Sequence, residues 1–339
     1  MQNETLQWLL LEIGETMKKN LIKALVLSIA SASCLQAHMH HLEHPGQEWK
    51  EENISSFDEL FVSWNASRPL EGGYTFYVSV YVGEWSPWLP YAKWGSFGQA
   101  GFSEGVQSAL VKVDQDAVAI LDGKKATGFR VKIDIEDNAS LDAIRSLHVY
   151  TNSSPAAGST EFASSFSKVS LPVSGISQIA LPDERARRLC SPTSTVAIVR
   201  YLSGNSSIEP IAFAERVWDS CFDIFGNWIL NVAEAANMLG PDWSCWVERL
   251  SGFDAIHERL ILGTPVVVSI RGPLPGSAMP YTSGHLIAVI GYDPEIQKVL
   301  CMDPAFPSDQ ETSVSYDLAD FLQAWERRGK VAYVFSKKL

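Results

Sequence analysis

Three residues far apart in the sequence, Cys190, His285 and Asp303, carry the side chains of a thiol nucleophile and its helpers. A cysteine attacks an acyl carbon as its thiolate, so it needs an electropositive setting and a base. A histidine supplies the base and later the acid, and a carboxylate holds the imidazole in one tautomer. Each residue also has a plainer role open to it. A lone cysteine is most often a small buried hydrophobe, a lone histidine a satisfied, partly buried ring, and an aspartate before Pro304 the cap of a turn. Whether there is chemistry depends on the elements that would bring the three together.

Cys190 opens the polar turn Cys190-Ser191-Pro192-Thr193-Ser194-Thr195, which runs into the apolar segment Val196–Leu202. Ser191 as N-cap and Pro192 in the first turn predict a helix with Cys190 at its mouth, where unpaired N–H groups and the macrodipole favour a thiolate. His285 sits in the apolar run Gly284–Tyr292, and Asp303 ends the run Lys298–Asp303 beyond the turn Asp293-Pro294-Glu295-Ile296. A hairpin folded about Pro294 sets His285 directly across from Asp303, with Cβ atoms about 5 Å apart. That expectation depends on register, because a slip of one residue moves a side chain to the other face. Asp293 is the rival acid, but it belongs to the turn and is expected to point away.

Around these motifs the pattern is helical first and stranded later. Trp228, Val232, Ala235 and Leu239 form one stripe, stopped by Gly240-Pro241, and Ser251 to Asp254 has the spacing of a capping box for a helix carrying Ile256 and Leu260. Pro265–Ile270 is a β-branched run. Leu318, Phe321, Leu322 and Trp325 line one side of a helix over about 317–328, and Val331–Phe335 reads as a closing strand. Helices followed by a mostly antiparallel sheet make an α+β domain over 173–339.

The first half is of a different kind. Tyr74, Phe76, Val78, Val80 and Val82 alternate with polar or amphipathic neighbours at the two-residue period of a strand, and 59–64, 106–113, 129–135 and 146–151 read the same way between Gly, Asp and Asn turns. Such spacing predicts an all-β, sandwich-like domain over 57–152. Between Gly83 and Trp94 three tryptophans and Tyr91 fall in a Pro-broken stretch expected to be a loop. Its rings either pack beneath it or stand free to stack on a sugar, which leaves a cell-envelope glycan as a conceivable partner. Residues 153–172, rich in Ser, Ala, Gly and Pro, have the composition of a linker.

A chain of 339 residues has room for two cores, and a net charge of −12 argues against a broad nucleic-acid-binding face. Nothing in it resembles a phosphate loop, a dinucleotide fingerprint or a paired-cysteine zinc site, and no cofactor or metal is expected. From Met17 onward, Lys18, Lys19 and Lys23 precede the apolar stretch Leu21–Ala30 and the small-residue exit Ser31–Ala37, the order of a secretory signal. Residues 1–37 are therefore expected to be a signal peptide behind an N-terminal extension, with the mature protein periplasmic or extracellular and without a transmembrane span. Lipid attachment at Cys34 is disfavoured by Ser31, where such signals carry leucine. His38, His40, His41 and His44 cluster just after the exit, in a stretch (38–56) expected to be flexible. Among Cys190, Cys221, Cys245 and Cys301, one disulfide, Cys221 with Cys245, is possible, and buried thiols are equally so.

The motifs Cys190-Ser191-Pro192-Thr193-Ser194-Thr195, Gly226-Asn227-Trp228, Gly284-His285-Leu286 and Asp303-Pro304, in this order, resemble the bacterial exported members of the double-glycine leader peptidase-like family of papain-fold cysteine peptidases. The resemblance covers roughly 172–336; Ser63–Ala66 and Trp85–Trp88 are similar, less distinctively, to the β-rich region that precedes the peptidase domain in that branch. It implies Cys190 as nucleophile, His285 as general base and acid, and Asp303 as the orienting residue. It also implies an oxyanion hole formed by the side-chain amide of a glutamine, matched here by Gln178, and the backbone N–H of Cys190. The implied function is an exported cysteine peptidase that cleaves a peptide or protein substrate through an acyl-thioenzyme. The same residues leave open acyl transfer or deamidation, and an idle papain-fold scaffold that binds glycan or another envelope component. Leu189 departs from the pattern, since relatives carry an aromatic residue or glycine before the cysteine. Nothing resembles the membrane or ATP-binding part of a transporter, so leader processing during export is not implied.

Overall fold

The computed structural model describes residues 37–102, 110–153 and 166–338. The signal-like segment, part of the expected 106–113 strand and most of the expected linker lie outside them. Among the described residues the first half is all strands: β1 (His38–Glu43), β2 (Glu48–Phe57), β3 (Glu59–Ala66), β4 (Gly73–Val80), β5 (Leu89–Gly95), β6 (Gly98–Gly101), β7 (Val111–Asp114), β8 (Ala117–Ile120), β9 (Ala126–Glu136) and β10 (Ile144–Asn152). They form two antiparallel sheets, ordered β1-β10-β3-β8-β7 and β2-β9-β4-β5-β6. Inward-facing aromatics join the two. Trp64 of β3 stacks on Phe76 of β4 with ring centroids 4.2 Å apart, and the Tyr91 hydroxyl from β5 accepts the Val62 N–H of β3 at 3.0 Å.

Two expectations fail here. The stretch 38–56 is not flexible, because β1 pairs with β10 along its whole length and β2 pairs with β9. The histidines that suggested a loose tail are side chains of an edge strand, and His41 stacks on His148, which stacks in turn on Trp246. The aromatic stretch is a loop only in part. From Leu89 it becomes β5, and Trp94 is wholly buried.

The second half runs β11 (Val169–Ser170), α1 (Cys190–Ser203), α2 (Pro210–Val217), α3 (Trp228–Leu239), β12 (Trp243–Arg249), α4 (Phe253–Ile261), β13 (Val266–Gly272), β14 (Tyr281–Asp293), β15 (Lys298–Met302), β16 (Ser313–Asp317), α5 (Leu318–Glu326) and β17 (Val331–Lys337). Its antiparallel sheet has the order β12-β17-β13-β14-β15-β16, with β11 added on β14. The predicted helices and strands appear, together with α2, β11, β12 and β16, which were not anticipated. The Ser251–Asp254 capping box does not form: Gly252 occupies the N-cap position of α4 and no side chain caps it. Residues 166–172 are not linker, since Phe166 packs against Phe253, His257 and Tyr292 while Val169 and Ser170 extend the sheet.

The predicted stripe on α3 understates its burial. Residues Trp228–Ala236 are buried on every side, because the helix lies beneath α1 on one face and against β3 and β12 on the other. The two halves thus share one core, within the compact unit Ala37–Leu339. Polar bonds cross the same boundary. Arg249 meets the Glu59 carboxylate through Nε and Nη2 at 2.6 and 2.7 Å, and Arg68 meets the fully buried Glu234 at 3.0 Å. Asn65 behaves like an extra strand residue: its Nδ2 donates to the Cys245 carbonyl at 2.9 Å and its Oδ1 accepts the Cys245 N–H at 2.7 Å. Among the described residues no helix is long and apolar enough to cross a membrane.

Asn65 is fully buried, so truncating it strands both backbone groups of Cys245 away from water. Asn65→Ala is expected to lower the unfolding free energy by about 2–6 kcal/mol, at about 1–3 kcal/mol for each of the two unpaired buried groups. Urea titration checks this through a lower midpoint with an unchanged slope.

Candidate active site

Cys190 is the first residue of α1, as its polar turn predicts, but the cap differs from the expected one. Leu189 holds the N-cap position without a side-chain bond. Ser191 instead turns inward, and its Oγ lies 2.9 Å from the Tyr333 hydroxyl of β17. Ser194 Oγ donates to the Leu286 carbonyl at 2.9 Å, and Thr195 Oγ1 donates to the Ser191 carbonyl at 2.8 Å. Ser191 and Ser194 therefore bolt the helix to the sheet, and the Ser194 bolt closes on the residue next to His285. Leu189, the departure from the family pattern, is fully buried against Ala214 and Phe225, which seats the helix start on α2.

His285 and Asp303 meet, though not by the register expected. An Asx turn, in which Asp293 Oδ1 accepts the Glu295 N–H, moves the hairpin's centre past Pro294 and pairs Asp293 with Lys298. A one-residue irregularity between Val289 and Gly291 then resets the ladder to Val289–Cys301 and Ala288–Met302. Continued one step, that ladder sets Asp303 across from Ile287, a diagonal neighbour of His285 on the same face. The even offset preserves the contact: His285 Nε2 lies 2.8 Å from Asp303 Oδ1. Asp293, the rival acid, is bound by Lys168 at 2.6 Å.

The imidazole is also hydrogen-bonded to the Cys190 thiol, and with Nε2 committed to Asp303, Nδ1 is the nitrogen available to sulfur. Burial alone would raise the Cys190 thiol. The His285 hydrogen bond and charge, with the backbone N–H groups of Leu286 and Ser191, overcome it and hold the thiol below its ordinary value. Burial likewise works against an imidazolium at His285, but the adjoining carboxylate and the thiolate outweigh it and push the ring up to about 10. The arrangement therefore favours passing the thiol proton to the imidazole.

Asp303 has no exposed surface, and four protein donors take the place of water around it. Oδ1 faces His285 and accepts the Ala305 N–H at 3.0 Å, while Oδ2 accepts the hydroxyls of Tyr281 and Tyr316, each at 2.6 Å. The Tyr281 ring stacks on that of His285 with centroids 4.0 Å apart. Neither tyrosine was singled out from the sequence. Tyr281 was findable, since it stands four residues before His285 on one strand and even spacing shares a face. Tyr316 was not, because its strand was not anticipated.

Cys190, His285 and Gln178 line one cleft of about 260 Å³, with Arg187, Met279 and Tyr281 among its other walls. Gln178 is buried, its backbone N–H donates to the Pro304 carbonyl at 2.8 Å, and its Nε2 donates to the Ala186 carbonyl at 2.9 Å. An amide nitrogen carries two hydrogens, so one remains for a group in the cleft. The other sequence candidates lie elsewhere. Trp85 and Trp88 hold the Arg130 guanidinium between them, 4.7 and 4.3 Å from their ring centroids, so a cation already lies on the faces that would stack on a sugar. Cys221 and Cys245 are free thiols, one exposed and one buried, not a disulfide.

Residues 170–333 match the model of the Peptidase_C39 like family. The chain is also similar to the crystal structure of a candidate C39-like peptidase from Bacillus anthracis, at 20% identity and a TM-score of 0.38, over 51% of this chain and 100% of that one. No curated protein matches it.

Iodoacetamide reports the thiolate at Cys190. Its half-maximal rate is expected below pH 9, the ordinary value, and the ion pair should persist up to about pH 10, where His285 releases its proton. In His285→Ala burial loses its main opponent, so the half-maximum moves up and the rate at pH 7 falls, about tenfold for each pH unit that the half-maximum climbs above 7. Equal rates in the two proteins would contradict the pairing.

Proposed function

We propose that this chain, whose residues 170–333 match the model of the Peptidase_C39 like family, is an exported cysteine peptidase working through Cys190, His285 and Asp303. The observation that carries the reading is the convergence of the thiol and the imidazole on one open cleft, with the buried carboxylate hydrogen-bonded to the ring. In this reading the Cys190 thiolate attacks the substrate carbonyl. The carbonyl oxygen gathers charge between the Cys190 N–H, which has no acceptor within its own helix, and the free hydrogen of the Gln178 amide. His285 then gives its proton to the departing amine, leaving an acyl-thioenzyme. Next it takes a proton from water, which cleaves the thioester and restores the thiolate. Asp303 keeps the ring in the tautomer whose second nitrogen faces sulfur.

The two five-stranded sheets of the first half are read as a sandwich-like accessory domain, and 17–37 as the signal that directs export. The thiol, the acid–base pair and the Gln178 amide in the cleft suit a peptide bond. Acyl transfer would pass through the same thioester to a different acceptor.

A library of internally quenched peptides tests the proposal, with hydroxylamine as a competing acceptor. Cys190→Ala is expected to abolish cleavage. Asp303→Asn should lower kcat by about 10²–10⁴-fold, the range by which general acid–base catalysis contributes. Cleavage that survives Cys190→Ala would overturn the assignment, and hydroxamate formed without hydrolysis in its absence would make the enzyme a transferase.

A further inference from the structure

The geometry points to Tyr316 as a positioning residue: through its hydroxyl on Asp303 Oδ2 it fixes the carboxylate and tempers its pull on the His285 proton, so that the imidazolium can deliver that proton to a leaving amine. The inference rests on the peptidase reading above and deepens it.

Tyr316 is 1% exposed, packed in the apolar cluster that also holds Cys301, Phe321 and Trp325. A phenylalanine would fill that space equally well, so packing does not explain the hydroxyl. Burying a hydroxyl is costly unless it is bonded, and the acceptor here is Asp303 Oδ2 at 2.6 Å. The length is that of an O–H donor on an ionised carboxylate. With two phenols on Oδ2, and His285 and the Ala305 N–H on Oδ1, rotating the carboxylate would break all four bonds at once. The two tyrosines are not equivalent. Tyr281 lines the cleft and stacks on His285, whereas Tyr316 is not among the cleft's walls and reaches the reacting atoms only through Asp303.

The sign of the effect follows from the donors. Each hydroxyl on Oδ2 draws charge away from Oδ1 and weakens its hold on the imidazolium. Removing the Tyr316 hydroxyl leaves a more basic carboxylate, a proton held more tightly at His285, and slower protonation of an amine. An ester whose leaving group departs as an anion needs no such proton.

The test is Tyr316→Phe, read by the ring ¹⁵N shifts of His285 against pH and by kcat and KM on a cleaved quenched peptide and on p-nitrophenyl acetate. The alkaline titration of His285 is expected to move upward. kcat on the peptide should fall about tenfold with KM unchanged, and p-nitrophenyl acetate should turn over nearly as in the unaltered protein. If Tyr316→Phe does not fold, 3-fluorotyrosine at this position, a stronger donor, is expected to move the titration downward. An unmoved titration with unchanged kcat would overturn the role, and so would a change in thermal stability alone. If the unaltered protein shows no imidazolium at neutral pH and Cys190 is alkylated no faster than Cys221, it is the peptidase reading that fails.

Discussion

A carboxylate with no access to water is the constraint around which the second half of the chain is built. Asp303 can remain ionised only if the protein supplies what solvent would, and it draws donors from several elements at once. His285 and Tyr281 come from β14, Tyr316 from β16, and the Ala305 N–H from the turn beyond Asp303 itself. An unpaired buried charge costs several kcal/mol. The hairpin register, the placement of β16 and the turn after Met302 are therefore held together by one electrostatic requirement. Its effect reaches the sulfur in one step: the ionised carboxylate favours the charged form of His285, and the charged ring lowers the Cys190 thiol against the burial that would raise it.

Much of this was legible because local rules and the site agree. The mouth of α1 follows from Pro192 and the polar run after Cys190, and the strands carrying His285 and the residues before Asp303 follow from their β-branched composition. The failures have particular causes. Ser191 does not cap because Tyr333, brought in from near the C-terminus, is a better partner for its hydroxyl than the helix's own N–H groups. The hairpin's centre was misplaced because an Asx bond at Asp293 outweighs the symmetry suggested by Pro294. The contact it was meant to explain survives, since turn shift and bulge together leave an even offset. A purely local reading can thus reach the right pair through the wrong register.

The strands that went unrecognised share another cause. The stretch 38–56 is polar and rich in histidine and glutamate because both of its strands are edges of their sheets, each paired with a single neighbour. An edge strand with one solvated face lacks the apolar alternation by which strands are found, and it gains from charge, which blocks pairing with other chains. The seven-residue strand β12 was missed because helix signals on either side of it dominate the window. Its pairing with β17 is a long-range contact that no local pattern encodes.

The same long-range packing explains why the two halves are not independent parts. α3 is buried around its whole circumference, which a helix on the surface of a free second half could not be, and its outer face is closed by β3 of the first half. Its first backbone N–H, on Trp228, donates to Asp116 of the loop before β8 at 3.0 Å, so the start of this helix is satisfied by an acid from the other half. α3 in turn supports α1, and α1 carries Cys190. A force applied at the sheets of the first half therefore has a path of packed elements to the nucleophile. The position of the sulfur relative to His285 depends on contacts more than a hundred residues away in the sequence, and for that reason the strands of the first half belong to the site's architecture.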